Sequence, residues 1–266
     1  MIFPVTTTTA LLGKACGDAF GCPFEFHAKA PALAALSLQE ERYLSCWEDC
    51  RQPILRCRTS GLYSDDTQQA LVLLWIWSQL VDKERDPLDG PAFASLFWRV
   101  CRRMADQSVP GNTSFGLHRG TGRGFREAIL RGEPPNSAGL GGAMRIGPAA
   151  TLIVERDLVV PWVLDVSSTT TSSPCALAAS AMFALVAHGL AHGDANVTIR
   201  PCPAEMPPEI RTEWARLERA LAVLQAKGEA TLLAYATKEG SPDHTLLCAA
   251  DGFALTGVPW VLHHVR

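Results

Sequence analysis

A chain of 266 residues, 47% hydrophobic and 19% charged, has enough apolar surface for a sizeable core, which excludes a disordered chain and is most simply read as one domain spanning 1–266. A net charge of −3 without a long basic run gives nucleic acid no evident footprint. Nine scattered cysteines lack the density of a stapled secreted scaffold, and the first residues lack a charged segment ahead of an apolar one, so a reducing cytoplasm is expected. The most apolar stretches, 70–77 and 175–187, fall short of the ~20 residues that span a bilayer, so no membrane is expected and both read as buried core helices.

In chain order, Thr7 to Phe20 reads as a first helix rich in Ala, Gly, Leu and Cys, whose small residues allow close helix approach. Gly21 and Pro23 then stop the helix and leave Glu25 between Phe24 and Phe26. A carboxylate so flanked is either a surface residue or a pocket acid. Residues 31–42 suggest a second short helix and 42–58 an irregular stretch with a small hairpin; Cys46, Cys50 and Cys57 lack zinc-site spacing.

The sequence Ser64-Asp65-Asp66-Thr67 stands where a turn meets the apolar run that begins at Ala70. Asp, Ser and Thr are poor inside helices and good at their starts, so a helix is predicted to begin here. Backbone N–H groups and the helix dipole are expected to keep both carboxylates ionised. Ser64, Asp65, Asp66 and Thr67 are hard oxygen donors that suit Mg²⁺ or Mn²⁺ better than zinc, although a solvated acidic cap has the same sequence.

A helix over Pro91 to Met104 follows, with Phe93, Leu96, Phe97 and Val100 on one face. The glycine-rich passage through Gly111, Asn112, Thr113 and Ser114 leads to a basic helix around Arg126 and Arg131. A second glycine cluster, Gly139, Gly141 and Gly142 ahead of Met144, feeds a helix of small residues. Such loops permit close backbone approach to a ligand, and helix starts favour phosphate. Pro174 to His192 is Ala-rich and must be buried. Pro208 to Lys227 is amphipathic, with Trp214, Leu217, Leu221 and Leu224 on one side. His188 and His192 are four residues apart but lack an acidic partner for a metal site. Finally Asp243, His244 and Thr245 form an oxygen-rich turn before a last small-residue helix, so two distant helix starts could converge on one metal cluster.

Taken together, Gly17-Asp18-Ala19-Phe20-Gly21 with Glu25, Ser64-Asp65-Asp66-Thr67, Pro110-Gly111 with Thr113, Gly139 to Pro148 and the late Asp/Thr turn make the chain resemble the ADP-ribosylglycohydrolase family, in motif order and over almost its whole length. That resemblance implies an all-α orthogonal multi-helix bundle with two Mg²⁺ or Mn²⁺ ions in a central cleft, and removal of ADP-ribose from modified side chains or related adducts. It implies catalytic roles for Glu25, Asp65 and Asp66. Metal ligands would be Ser64, Asp65, Asp66, Asp243, His244 and Thr245. Contacts to the diphosphate and distal ribose would come from Gly111, Asn112, Thr113, Ser114, Gly139, Gly141, Gly142 and Met144.

The chain also departs from the pattern. Where the family carries Asp-x-Asp-Thr, this sequence has Pro242-Asp243-His244-Thr245, and where it carries Thr-His-Ser-x-Pro, Thr170-Thr171-Ser172-Ser173-Pro174 stands without the histidine. Two readings follow: a metal-dependent hydrolase, or a non-catalytic relative that binds ADP-ribose or a protein partner such as an ADP-ribosyltransferase.

Overall fold

Helix starts and stops in this chain are set by residues with identifiable physical roles. In a computed structural model describing residues 6–21, 63–106, 121–194, 202–239 and 254–264, Thr6 opens α1 (Thr7–Gly21) by accepting the Thr9 N–H on its hydroxyl at 3.2 Å. Ser64 caps α2 (Asp65–Val81), its Oγ accepting from the Asp66 N–H at 3.3 Å. Asp89 does the same for α3 (Gly90–Asp106) through Ala92 N–H at 3.1 Å. Such caps satisfy backbone donors that the helix cannot reach itself. Gly132, in the left-handed conformation at φ 75°, ends α4 (Arg123–Arg131).

The chain continues through α5 (Gly141–Ala150), a 3₁₀ turn over Arg156–Leu158, α6 (Val159–Ser168) and α7 (Pro174–Ala191). Pro174 suits the first turn of α7, where its missing N–H loses nothing. Then come α8 (Pro208–Lys227), α9 (Glu229–Glu239) and α10 (Ala254–His264). Gly139 in an isolated bridge is the sole departure from helix, turn and coil among the described residues, so the fold is an all-α multi-helix bundle.

The core is built around α7, which packs on α5, α6, α8 and α10. Ala176, Ala178, Ala179, Ala181 and Ala184 are all buried, and side chains this small allow several neighbours to close on one helix. This is one described helix long and apolar enough to cross a membrane by length and composition, and its buried alanines serve the bundle core. The expected face of α8 is buried in register: Ile210, Trp214, Leu217, Leu221 and Leu224. On α3 the fully enclosed residues are Phe93, Phe97 and Cys101, with Leu96 and Val100 at the edge. Phe93 and Trp162 meet edge to face with ring centres 5.0 Å apart, and Trp77 closes the cluster at 5.8 Å from Trp162. Each enclosed ring is worth roughly 1.5–3 kcal/mol in transfer free energy.

Two expectations need correction. The run 70–77 is not buried throughout. Ala70, Leu73 and Ile76 face inward at helical spacing, while Leu71 and Trp75 lie outward, Trp75 being 53% exposed. Nor is close approach seen at Gly13 or Gly17 of α1, where a Cβ would meet nothing within 4 Å among the described residues. Close approach occurs on α5 instead. There a Cβ on Gly142 would overlap Ser180 Oγ of α7 and lie 3.2 Å from Ser167 Oγ of α6.

Candidate functional site

The start of α2 is held against α1 by one carboxylate. Asp18 Oδ2 accepts the Ser64 N–H at 2.8 Å, the Thr67 N–H at 3.2 Å and the Thr67 hydroxyl at 2.7 Å. An acidic residue from a neighbouring helix thus takes the N-terminal donors of α2, helped by Ser64 Oγ on the Asp66 N–H. Asp65 and Asp66 are left to face elsewhere.

Asp65 faces inward. It is 9% exposed, and Gln69, one turn later, donates Nε2–H to Asp65 Oδ2 at 3.1 Å. The other end of that amide is fixed by Arg145 of α5, whose Nη1 donates to Gln69 Oε1 at 3.0 Å. A guanidinium can only donate, so it dictates which way the amide points and commits the NH₂ to Asp65. Arg145 also donates through Nη2 to Thr170 Oγ1 in the segment before α7. Its guanidinium carbon lies 5.1 Å from the Phe97 ring centre and 5.8 Å from that of Phe125. The side chain is fully enclosed, and burial lowers its pKa to about 10. Its Nε has no hydrogen-bond partner among the described residues. Two ring faces and two oxygen acceptors offset part of the desolvation of this buried cation.

The electrostatics differ from expectation. Burial raises the Asp65 pKa from 3.8 to about 7, and the Asp66 charge adds to the effect. Asp66 is raised as well, first by burial, with Lys14 opposing and Asp18 adding. The N-terminal donors that were to hold both groups ionised are largely committed to Asp18 and Ser64. Desolvation therefore dominates at both, with repulsion from Asp66 added at Asp65 and from Asp18 at Asp66. Lys14, half-buried on α1, is lowered by burial and held up by Asp66, Asp18 and Asp65 in that order.

Among the described residues no three His, Cys, Asp or Glu side chains form a ready metal cage. The donors at the α2 start, Ser64, Asp65 and Asp66, are nonetheless all hard oxygens. They fit Mg²⁺ or Mn²⁺ as a partial set, with the remaining positions of an octahedron left to water, substrate or other residues. Glu25, the loop Gly111, Asn112, Thr113 and Ser114, and the turn Asp243, His244 and Thr245 lie outside the described residues.

The second glycine cluster divides by role. At Gly141, the first position of α5, a Cβ would meet nothing within 4 Å among the described residues, and Met144 is half-buried. Gly142 is buried and packs closely on Ser180 and Ser167. Half-buried Gly139 belongs to a loop whose carbonyls are tied down: Thr171 donates to Ser137 O at 2.8 Å, and Ala254 N–H donates to Ala138 O at 2.8 Å. The threonines that remain where the family has Thr-His thus hold this loop and Arg145 in place. His188 and His192 stack with ring centres 4.3 Å apart, and His192 Nε2 lies 3.0 Å from the Ile153 carbonyl. This is a helix-end contact, and no acidic ligand joins it among the described residues.

The molecule is thus an all-α bundle in which a paired acidic helix start packs against a glycine-led helix that carries a buried arginine. The sequence pattern of the ADP-ribosylglycohydrolase family matches residues 7–266, and the chain belongs to that family. No curated protein matches it. Among solved structures it is similar in fold to a chain described as an "ADP-ribosylglycohydrolase-related protein complex", with a TM-score of 0.54 and 20% identity over 97% of this chain and 74% of that one.

Sequence reasoning placed Ser64, Asp65 and Asp66 together at a helix start. Asp18 and Arg145 fall inside the sequence motifs with no partner marked by the pattern, and Lys14 and Gln69 lie outside them. The i,i+4 spacings of Lys14 with Asp18 and of Asp65 with Gln69 were the available signals.

Proposed function

We propose that this chain is a metal-dependent hydrolase that removes ADP-ribose from an ADP-ribosylated protein side chain, cleaving an N- or O-glycosidic bond at the distal ribose. The observation that carries the reading is the desolvated Asp65–Asp66 pair on a helix start braced by Asp18 and by the Gln69–Arg145 link. A binder of an anionic ligand has no need of such a pair. Ser64, Asp65 and Asp66 would hold Mg²⁺ or Mn²⁺, with Asp243, His244 and Thr245 as the late-turn donors. When bound, the ion supplies charge neutralisation and a fixed orientation for ribose hydroxyls and water. Glu25 or one aspartate of the pair takes a proton from the attacking water. Without an ion, burial raises the Asp65 pKa to about 7; a divalent ion held there would favour the ionised carboxylate that accepts the proton. The loops at Gly111–Ser114 and Gly139–Gly142, with Met144, receive the diphosphate and distal ribose through backbone N–H groups.

Diffraction from crystals soaked in Mn²⁺ and ADP-ribose tests this reading. An anomalous peak beside Asp65 and Asp66, with ADP-ribose against it, is expected. A ligand bound elsewhere, with no ion at the α2 start, overturns it.

A second reading is that a cytoplasmic relative captures ADP-ribose or a partner such as an ADP-ribosyltransferase without turnover. It is favoured by the altered Pro242-Asp243-His244-Thr245 turn and by the similar solved chain being described as a protein complex. Under either reading fewer tightly bound ions than two are expected, because the late turn lacks one aspartate of the Asp-x-Asp-Thr pattern, and losing an anionic ligand that bridges two ions removes charge neutralisation for both.

A further inference from the structure

Arg145 is a buried cation bonded to no anion. Its side chain is fully enclosed, and it donates to two neutral oxygens, Gln69 Oε1 and Thr170 Oγ1, with no carboxylate bonded to it among the described residues. An enclosed charge of that kind often costs more stability than an apolar side chain of similar volume, so packing alone does not account for it. Its geometry does. The head group is located by four elements: the Phe97 ring of α3, the Phe125 ring of α4, Gln69 of α2 and Thr170 ahead of α7. A planar fork held from so many sides is a fixed donor. Gln69 Oε1 accepts from it at 3.0 Å, which turns the Gln69 NH₂ to Asp65 Oδ2 at 3.1 Å. With the amide reversed, oxygen would face oxygen at Asp65 and donor would face donor at the guanidinium.

We infer that Arg145 is a positioning residue for Asp65: acting through Gln69, it pins Oδ2 and so presents Oδ1 as the oxygen that meets an ion or the attacking water. This rests on the reading of the Asp65–Asp66 pair as the metal and water site. The last torsion of an aspartate is broad, so an unpinned carboxylate would turn either oxygen, or both, toward an ion. The pin leaves Asp65 one oxygen to give, and single-oxygen ligation suits the strict octahedron of Mg²⁺. A residue that orients a ligand from behind typically changes metal affinity about 10–100-fold when it is removed.

Diffraction from wild-type crystals soaked in Mn²⁺, with calorimetric Mn²⁺ titration of wild type, R145M, Q69M, the double variant and T170V, tests this. The soak is expected to show Mn²⁺ on Asp65 Oδ1 with Gln69 still bonded to Oδ2. Mn²⁺ affinity should fall about tenfold or more in R145M and in Q69M. It should fall no further in the double variant, because the two residues act along one chain of bonds. T170V removes a bond from the same guanidinium but leaves the link to Gln69, so its affinity should stay near wild type. Mn²⁺ on Oδ2 or on both oxygens, losses in R145M and Q69M that add, or an equal loss in T170V overturns the inference, the last by marking Arg145 as structural only. If R145M or Q69M does not fold, the soak and the remaining variants decide by the same readings. If no ion binds wild type, the metal-dependent reading falls, and ion-free crystals decide the inference: an Asp65 carboxylate turned in Q69M and R145M but not in T170V keeps it, and one unmoved in all three overturns it. An ion bound by wild type with affinity unchanged in folded R145M and Q69M keeps the metal reading and loses the inference.

Discussion

Asp65→Asn should stabilise the metal-free protein at about pH 8 and leave its stability unchanged at about pH 4. Asp65 has its pKa raised from 3.8 to about 7 in the folded state by burial and by Asp66. Between about pH 4 and 7 the folded protein therefore keeps a proton that the unfolded chain has released, and stability falls as pH rises through that window. A shift of about three units at ~1.4 kcal/mol each sets a ceiling of about 4 kcal/mol. Water entry and relaxation around the helix start reduce it, and about 2 kcal/mol is a working figure. For a chain of this size that is about 4–8 °C in Tm. The substituted amide keeps an oxygen for the Gln69 Nε2–H, so the brace survives while the charge is removed. Thermal melts of both proteins in EDTA across this pH range measure the gap. A less stable Asp65→Asn protein at high pH, or a gap of the same size at every pH, would refute the reasoning.

Gln69→Leu strips a partner from both Asp65 and Arg145, so it should cost about 2–4 kcal/mol and lower turnover, read by denaturant melts and steady-state kinetics. Gly142→Ala should destabilise by about 1–3 kcal/mol, because the added Cβ meets Ser180 and Ser167; adding Ser180→Ala should recover part of the loss, whereas no recovery would place the clash elsewhere. Glu25→Gln should keep ADP-ribose binding by calorimetry and lower turnover, and unchanged turnover would leave Glu25 with a structural role only.

What the sequence disclosed was local. Ser64-Asp65-Asp66-Thr67 announces a helix start because those residue types cap helices wherever they occur, and α8 announces its buried face through apolar spacing. The short α6 was not picked out, since Val159, Val160 and Pro161 are weak helix formers and tertiary burial of Val160, Trp162 and Val163 supplies what propensity does not. The brace behind the site was hidden for a different reason. Asp18 reaches Ser64 across 46 positions and Arg145 reaches Gln69 across 76, so no periodicity in the chain records either contact. The ionisation of Asp65 was misjudged on the same ground: cap chemistry was visible, but the neighbour that claims the N–H groups was not. Gly142 likewise looks in sequence like part of a ligand loop, and only the position of α7 reveals its packing role.

Release of free ADP-ribose tests the central claim most directly. Wild type, Asp65→Ala and Asp66→Ala would be incubated with proteins ADP-ribosylated on arginine and on serine, in millimolar Mg²⁺ or Mn²⁺ and in EDTA. The account predicts release by wild type with metal from at least one of the two linkages, and loss of release in EDTA and in both variants. Full release by both variants, or none by wild type from either linkage with both metals tried, would contradict it.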